Sequence, residues 1–336
     1  MIAVHILISL LPVVFFLAGL VLIDSYKLVR PRAVALALLA GCLSAILVYF
    51  LNAWLWDMLE MNRNDFSRYV APLTEEGLKA IWIIYLVFSD RVGFTVDAAI
   101  MGFAVGAGFA VVENMYYLSS LDASTQVWII RGFGTAIMHG ASSTILAIIL
   151  KTLQGEHRLS AVISVTVSMM LAYAFHSTYN HFPFPPMVST AILILVSPLL
   201  VSVLFQQSEK RTRSWLGTGF DTDQELMDLL MRGDFSASRI GTYLTSLKEH
   251  FEGPIVADML CLIRTRVELS IRAKGVLMMR EAGFEPRPDE LVKAKFDELQ
   301  YLEDSIGKTG LMAVEPIHKW SREDLWQLTL LSDIGN

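Results

Sequence analysis

Seven apolar runs, each about the length a helix needs to cross a bilayer, limit what this 336-residue chain can fold into. They lie at approximately 2–23, 33–56, 74–89, 94–117, 127–150, 160–182 and 187–205, and the third is the least apolar. A hydrocarbon core about 30 Å thick takes about 20 residues of helix. Backbone that enters it must satisfy its own hydrogen bonds, which a helix does within one segment. The first run has no basic leader and no small-x-small cleavage site before Asp24, so it reads as a retained span and not as a removed signal.

The charges are segregated along the chain. Residues 1–205 hold only 10 of the 27 Lys and Arg and 11 of the 33 Asp and Glu, so most of the charge falls in the last 131 residues. The expected fold class is therefore all-α: a polytopic membrane helix bundle of about seven spans over 1–205, followed by a small helical cytosolic domain over 206–336. Helix-start patterns in the tail occur at Thr222-Asp-Gln-Glu225, at Gly253 before Pro254, and at Ser321-Arg-Glu-Asp324. Two long periodic stretches, at about 254–281 and 288–304, are separated by Gly283 and Pro286, as in an antiparallel helix pair. A net charge of −6 without a basic run excludes nucleic acid as the main partner. Cys42 and Cys261 show neither a disulfide framework nor metal-ligand spacing, and both read as packing residues.

Orientation follows from the loops, because cytoplasmic loops retain Lys and Arg. One side carries Lys27, Arg30, Arg32, Arg91, Lys151, Arg158, Lys210, Arg211 and Arg213; the other carries Arg63 and Arg68, with Arg131 at a helix entrance. The N-terminus is expected outside and the C-terminus in the cytosol.

Ionisable groups inside spans cost a few kcal/mol each, so they mark the first place to look for function. They are Glu75, Glu76 and Lys79, then Glu113, His139 and His176. At roughly 100° per residue, Glu75 and Lys79 share a face at i, i+4, which predicts that they pair and that Glu76 is left free. The alternative is that Thr74, Glu75 and Glu76 only cap a helix start. Glu113 shares a stripe with Phe109, Gly106 and Gly102, so its carboxylate is expected to face the bundle where backbones approach closely. His139 lies on a small, polar face with Gly132, Thr135, Ala136, Ser142 and Ser143. His176 and Asn180, at i, i+4, can present two donors to one point, as an oxyanion site requires. Four spans each carrying an inward acid or imidazole predict one buried polar site, whereas His181, Asp97 and His157 sit at helix ends or in loops and read as solvated. His-Glu-x-x-His, Gly-x-Ser-x-Gly and paired Asp within spans are all absent.

The combination Glu75-Glu76-x-x-Lys79, Phe109-x-x-x-Glu113-Asn114, His139 and His176-x-x-x-Asn180, in that order on successive spans, resembles the PrsW family of intramembrane proteases. These are relatives of the type II CAAX prenyl proteases and bacteriocin-processing enzymes. Glu113 stands where the wider group has histidine, and Lys79 stands where it has arginine one position further on; both fit the PrsW branch. The resemblance covers roughly residues 1–205 and implies a multi-pass peptidase of a bacterial cytoplasmic membrane that cuts a membrane protein such as an anti-sigma factor.

The expected chemistry is hydrolysis by a water activated in the bundle. Glu75 or Glu76 would be the base, His176 and Asn180 would stabilise the oxyanion, Glu113 and His139 would orient the water, and Lys79 and Asn114 would support them. The metal alternative is a zinc ion on Glu113, His139 and His176 with an open fourth position. Outside the enzyme class, the same acids and imidazoles suit a proton-coupled transporter, and the span count suits a seven-helix receptor. The site is expected in the outer half of the membrane, with the cut near the outer boundary of the substrate.

Overall fold

The computed structural model describes residues 2–24, 26–155, 160–231, 238–284, 290–317, 324, 326–328 and 330–331. Among them the regular structure is entirely helical. The chain divides into two compact units, 1–209 and 210–336.

The first unit holds α1 (Ile2–Ile23), α2 (Pro31–Leu59), the short α3 (Arg63–Asp65), α4 (Ala71–Phe88), α5 (Thr95–Ser120), α6 (Thr125–Ile129), α7 (Ala136–Gly155), α8 (Ala161–Asn180) and the first part of α9 (Pro186–Met231). Among the described residues, six helical stretches are long and apolar enough to cross a membrane: Ala3–Ile23, Pro31–Leu59, Thr95–Ser120, Thr125–Gln154, Ala161–Asn180 and Pro186–Met231. The third sequence run forms α4, which falls outside that set; it carries Glu75, Glu76 and Lys79. Even so, α4 belongs to the same core, since Ala80, Ile83, Leu86 and Val87 pack in one cluster with residues of α1, α2, α5 and α7.

Large apolar side chains point out of this unit as well as into it. Phe15, Phe50, Val162, Leu195 and Leu199 are each more than 60% exposed, which in water would be an aggregation surface and in a bilayer is the lipid-facing side. α5 is the buried centre, lined by Gly102, Gly106, Ala98, Ala99, Ala104 and Ala107. Small residues let neighbouring backbones come close enough for dispersion contacts to hold the helices together where lipid removes the hydrophobic drive. A Cβ on Gly108 would fall on the carbonyl of Leu38, and one on Gly41 would fall on the carbonyl of Val105, so α2 and α5 meet backbone to backbone. Cys42 Sγ donates to the Gly108 carbonyl at 3.3 Å in the same seam. Gly106 meets the His139 carbonyl in the same way, joining α5 to α7.

Two π-helical segments interrupt the regular winding, Phe66–Val70 before α4 and Ile130–Thr135 before α7. Because helical structure is continuous from Arg63 into α4, Thr74, Glu75 and Glu76 are not a helix start. Thr74 Oγ1 instead donates to Asn52 Oδ1 at 2.7 Å and to the Ala71 carbonyl at 2.9 Å. The capping alternative for this motif is therefore removed.

The second unit contains the rest of α9, α10 (Arg239–Ser246), α11 (Gly253–Glu281) and α12 (Glu290–Val314). Contacts Asp258–Ser305 (2.5 Å), Arg266–Glu303 (2.7 Å) and Glu268–Lys295 (3.0 Å) descend along α12 as they ascend α11, so the two helices are antiparallel. Gly283 adopts a positive φ of 82° just after α11, and Gly307 breaks the regular dihedrals of α12. Two sequence readings change here. Thr222 starts no helix, because it lies inside the continuous α9 and its hydroxyl donates to the Thr218 carbonyl at 2.8 Å. Cys261 is exposed and is no packing residue. Ser321 and Pro286 lie outside the described residues.

Replacing Gly108 by Val should collapse the α2–α5 seam, at about 3 kcal/mol, the upper end of overpacking costs. Gly77→Ala is the control, since the nearest atom to a new Cβ there is 4.0 Å away. Thermal unfolding in nanodiscs should show a lowered midpoint for the first variant only; an unchanged midpoint for Gly108→Val would contradict the close approach.

Candidate active site

Glu75, Glu76 and Lys79 project from α4, and Glu76 and Lys79 have no exposed surface at all. A fully buried carboxylate must be neutralised and hydrogen-bonded to be tolerated. Glu76 meets this through one oxygen. Its Oε1 accepts from Lys79 Nζ at 2.6 Å, from His176 Nδ1 at 2.8 Å and from Ser142 Oγ at 2.9 Å. The pairing expected from sequence is thus reversed: Lys79 is bound to Glu76 at i, i+3, and Glu75 is the acid left over. Both acids are within a lysine's reach along the helix. What separates them is the facing surface, because Ser142 of α7 and His176 of α8 meet Glu76, while Glu75 lines a cavity.

The two imidazoles are fixed in the same manner. His176 donates through Nδ1 to Glu76, which leaves Nε2 turned toward Glu75 Oε2 at 3.7 Å. His139 Nε2 donates to Glu113 Oε2 at 3.1 Å, which leaves Nδ1 turned toward the same Glu75 oxygen at 4.0 Å. The rings are 4.9 Å apart and nearly perpendicular, and Phe109 packs on the His139 ring at 4.9 Å. Glu75 Oε2 is buried and has no hydrogen-bond partner among the described residues. It sits opposite two imidazole nitrogens at distances too long for direct bonds and suited to something between them.

That arrangement fits a metal. Glu75, His139 and His176 each offer a ligand atom, all within 4.8 Å of one another. Each imidazole is backed by a carboxylate on its other nitrogen, which is how metal-ligating histidines are usually oriented. The ligand set read from sequence is corrected accordingly: Glu113 does not join the cluster but stands behind His139, and Glu75 takes its place. Lys79 Nζ, 3.4 Å from His139 Nδ1, is a competing donor to that lone pair.

The remaining sequence candidates separate. Asn180 is not paired with His176 as an oxyanion donor; its Nδ2 donates to the Ser67 carbonyl at 2.9 Å, and the neighbouring Ser177 hydroxyl donates to the Arg68 carbonyl at 2.6 Å. Both tie α8 to the π-helical segment before α4. Asn114 Nδ2 donates to the Ser9 carbonyl at 2.8 Å, and its Oδ1 accepts from Arg131 Nε at 2.9 Å. Arg131, read from sequence only as a charge at a helix entrance, also pairs with Glu113. Asp97 is buried, not solvated, because it caps α5 by accepting from the backbone of Gly93 and Phe94. His181 is half-buried and donates to the Ser177 carbonyl, and His157 lies outside the described residues.

A cavity of about 870 Å³ opens onto the cluster, with Glu75, Glu113, His139 and His176 in its lining and an aromatic wall that includes Tyr49 and Trp56. Such a volume is in the range of ligand sites.

No curated protein and no solved structure matches the chain. The family model described as "PrsW family intramembrane metalloprotease" matches residues 30–205, just over half of the chain. The match runs from the start of α2 into α9 and contains every residue of the cluster. A model of that extent, together with a Glu–His–His cluster buried among membrane-length helices, makes the chain a multi-pass membrane protein and a member of the PrsW family of intramembrane metalloproteases.

Proposed function

We propose that this protein hydrolyses a peptide bond of a single-span membrane protein at the point where Glu75 Oε2, His139 Nδ1 and His176 Nε2 converge. The single observation that carries the reading is the doubled carboxylate–imidazole arrangement, Glu76 behind His176 and Glu113 behind His139, which aims two lone pairs at one unpartnered carboxylate oxygen. A regulated membrane substrate such as an anti-sigma factor fits the family, and the bacterial cytoplasmic membrane is the matching location.

In this mechanism the attacking water lies on the cavity side of the three side chains, and Glu75, whose Oε2 faces the two imidazoles, takes its proton through Oε1 and returns it to the departing amine nitrogen. His176 and His139 keep the water oriented, because their own ring positions are held by Glu76 and Glu113. Lys79 is bound to Glu76 Oε1, so that oxygen is occupied and the proton goes to Glu75. The residues that would hold a divalent metal, zinc being the ordinary one for such donors, are Glu75, His139 and His176; it would supply a Lewis acid that polarises the carbonyl and makes water nucleophilic at neutral pH. Asn180 and Ser177 act at one remove, by holding α8 in register with the segment before α4.

The site lies near one end of the bundle. Glu113 is seven residues from the end of α5 and His176 is four from the end of α8, so each is within about 10 Å of a helix end along the axis, and Glu75 lies twelve residues into the continuous helical stretch that begins at Arg63. Taking α4 as a seventh crossing, with the N-terminus outside and the C-terminus in the cytosol, puts those ends on the outer face. Cleavage then falls at or just inside the outer boundary of the substrate's span. The segment 206–336, helical in the elements described and without a catalytic set among its described residues, regulates or recruits.

Two experiments test this reading. Glu75→Gln should abolish cleavage with normal accumulation, since it removes the base and keeps the shape. Glu76→Gln should lose cleavage and also stability, by about 3–5 kcal/mol, because Lys79 is left as an uncompensated buried charge. Normal cleavage by Glu75→Gln, or an unchanged unfolding midpoint for Glu76→Gln, would reverse the assignment. The second experiment compares new protein termini by mass spectrometry in cells carrying the wild type and cells carrying Glu75→Gln. Wild-type-dependent termini should cluster at the outer edge of single-span proteins; cuts on the cytosolic side would contradict the topology, and no such termini would contradict the activity.

A further inference from the structure

Glu113 is held from both sides. On one side its Oε2 accepts from His139 Nε2 at 3.1 Å; on the other the same oxygen meets Arg131 Nη2 at 2.9 Å. Arg131 is itself constrained at three points. Its Nε donates to Asn114 Oδ1 at 2.9 Å, its guanidinium carbon lies 3.8 Å over the Tyr117 ring, and its backbone belongs to the π-helical segment Ile130–Thr135. Asn114 and Tyr117 lie one and four residues after Glu113 on α5. Their spacing turns the same end of the helix toward the guanidinium, so one helix supplies the carboxylate, the amide and the aromatic face that surround it.

The cost of leaving any of these charges alone explains the arrangement. Glu113 has 23% of its side chain exposed and Arg131 has 14%, at the wall of a cavity set among apolar helices. A carboxylate there without its cation would turn toward any water that enters the cavity and release the imidazole. His139 would then be free to rotate or to change tautomer, and Nδ1 would no longer be presented to Glu75. A guanidinium that is stacked and hydrogen-bonded fixes the carboxylate in position and in charge, which an ammonium on a flexible stem does less well. The widened π-helical turn just ahead of α7 carries Arg131 itself, and such turns are frequent at functional sites.

The geometry points to Arg131 as a positioning residue of the active site: acting through Glu113, it fixes the ring of His139 so that Nδ1 faces Glu75 and His176. Arg131 touches none of the reacting atoms in this role, and Asn114 and Tyr117 serve by holding Arg131. The inference rests on the peptidase reading given above, and its test carries one arm that does not depend on cleavage.

The full-length protein is purified in nanodiscs as wild type, Arg131→Gln, Glu113→Gln, the double variant and Arg131→Lys. Cleavage is read on a substrate identified from the wild-type-dependent termini, and affinity for Zn²⁺ is read by competition with a chromophoric chelator. Loss of an outer partner of a ligating histidine typically costs 10–100-fold in metal affinity or activity. Arg131→Gln and Glu113→Gln should each lose about that much in both readouts, and the double variant should fall no further than the worse single one, because the two act as one unit. Arg131→Lys should keep part of both, about 3–10-fold below wild type, with that loss absent in the Glu113→Gln background. A merely structural role would lower the unfolding midpoint and give losses that multiply in the double variant. Multiplying losses, or wild-type Zn²⁺ affinity and cleavage in Arg131→Gln, would overturn the inference. Should Arg131→Gln fail to accumulate, Arg131→Lys decides alone, and an equal loss with and without Glu113 would overturn it. If the wild type itself cleaves nothing, the peptidase reading fails, and the Zn²⁺ cycle still decides whether Arg131 and Glu113 are coupled.

Discussion

One carboxylate oxygen joins the three helices that build the site. Glu76 Oε1 receives an ammonium from its own helix, an imidazole from α8 and a hydroxyl from α7, all within 2.9 Å. Burying a charge away from water costs several kcal/mol per ion, and the cost is met only where geometry is good and the remaining hydrogen bonds are made. Glu76 and Lys79, both without exposed surface, neutralise each other, and Glu76 Oε1 also accepts from His176 and Ser142, while its Oε2 has no hydrogen-bond partner among the described residues. The ion pair therefore sets the register of α4 against α7 and α8. It also decides the chemistry next to it, since His176 is left with only Nε2 to offer and Glu75 is left without a cation.

That register depends in turn on how closely the helices approach. α5 runs through the middle of the bundle as a chain of Gly and Ala, and its glycines touch the backbone carbonyls of α2 and α7. The contact between Gly106 and the His139 carbonyl brings Glu113, two turns along α5, within reach of the His139 ring. A larger side chain at Gly106 would move α7 outward and open the Glu113–His139 bond. The π-helical segments serve the same end from the other side of the site, because backbone carbonyls at Ser67 and Arg68 take side chains from α8 and pin the helix that carries His176.

Much of this was legible in the sequence, and the parts that were not have a common cause. Apolar runs and the few ionisable residues within them announced a membrane bundle with an inward polar site, because a bilayer penalises every charge that lacks a use. The small-residue stripe Gly102, Gly106, Phe109, Glu113 announced the α5 face that meets α7. What failed was each choice between partners that local geometry leaves equivalent. Lys79 reaches Glu75 and Glu76 equally well along the helix, and only Ser142 and His176, 66 and 100 residues away from Glu76, decide between them. Asn180 keeps the spacing of an oxyanion donor, yet its amide is claimed by a carbonyl 113 residues earlier in the chain. The cluster holds Glu75 in place of Glu113 for the same reason, since the carboxylate closest in motif order to His139 bonds one of its nitrogens and the one from α4 faces the other. Asp97 looked solvated because helix ends commonly are, whereas here it is the cap of the most buried helix.

The central claim is that Glu75, His139 and His176 form one working site around a shared point. Metal content of the purified full-length protein, measured by mass spectrometry for wild type, Glu75→Gln, His139→Ala, His176→Ala and Asn180→Ala, tests it most directly. A divalent metal should be present in stoichiometric amount in the wild type, retained in Asn180→Ala and lost in each of the other three. Wild-type metal content in all three, or full cleavage by protein stripped of metal, would contradict it.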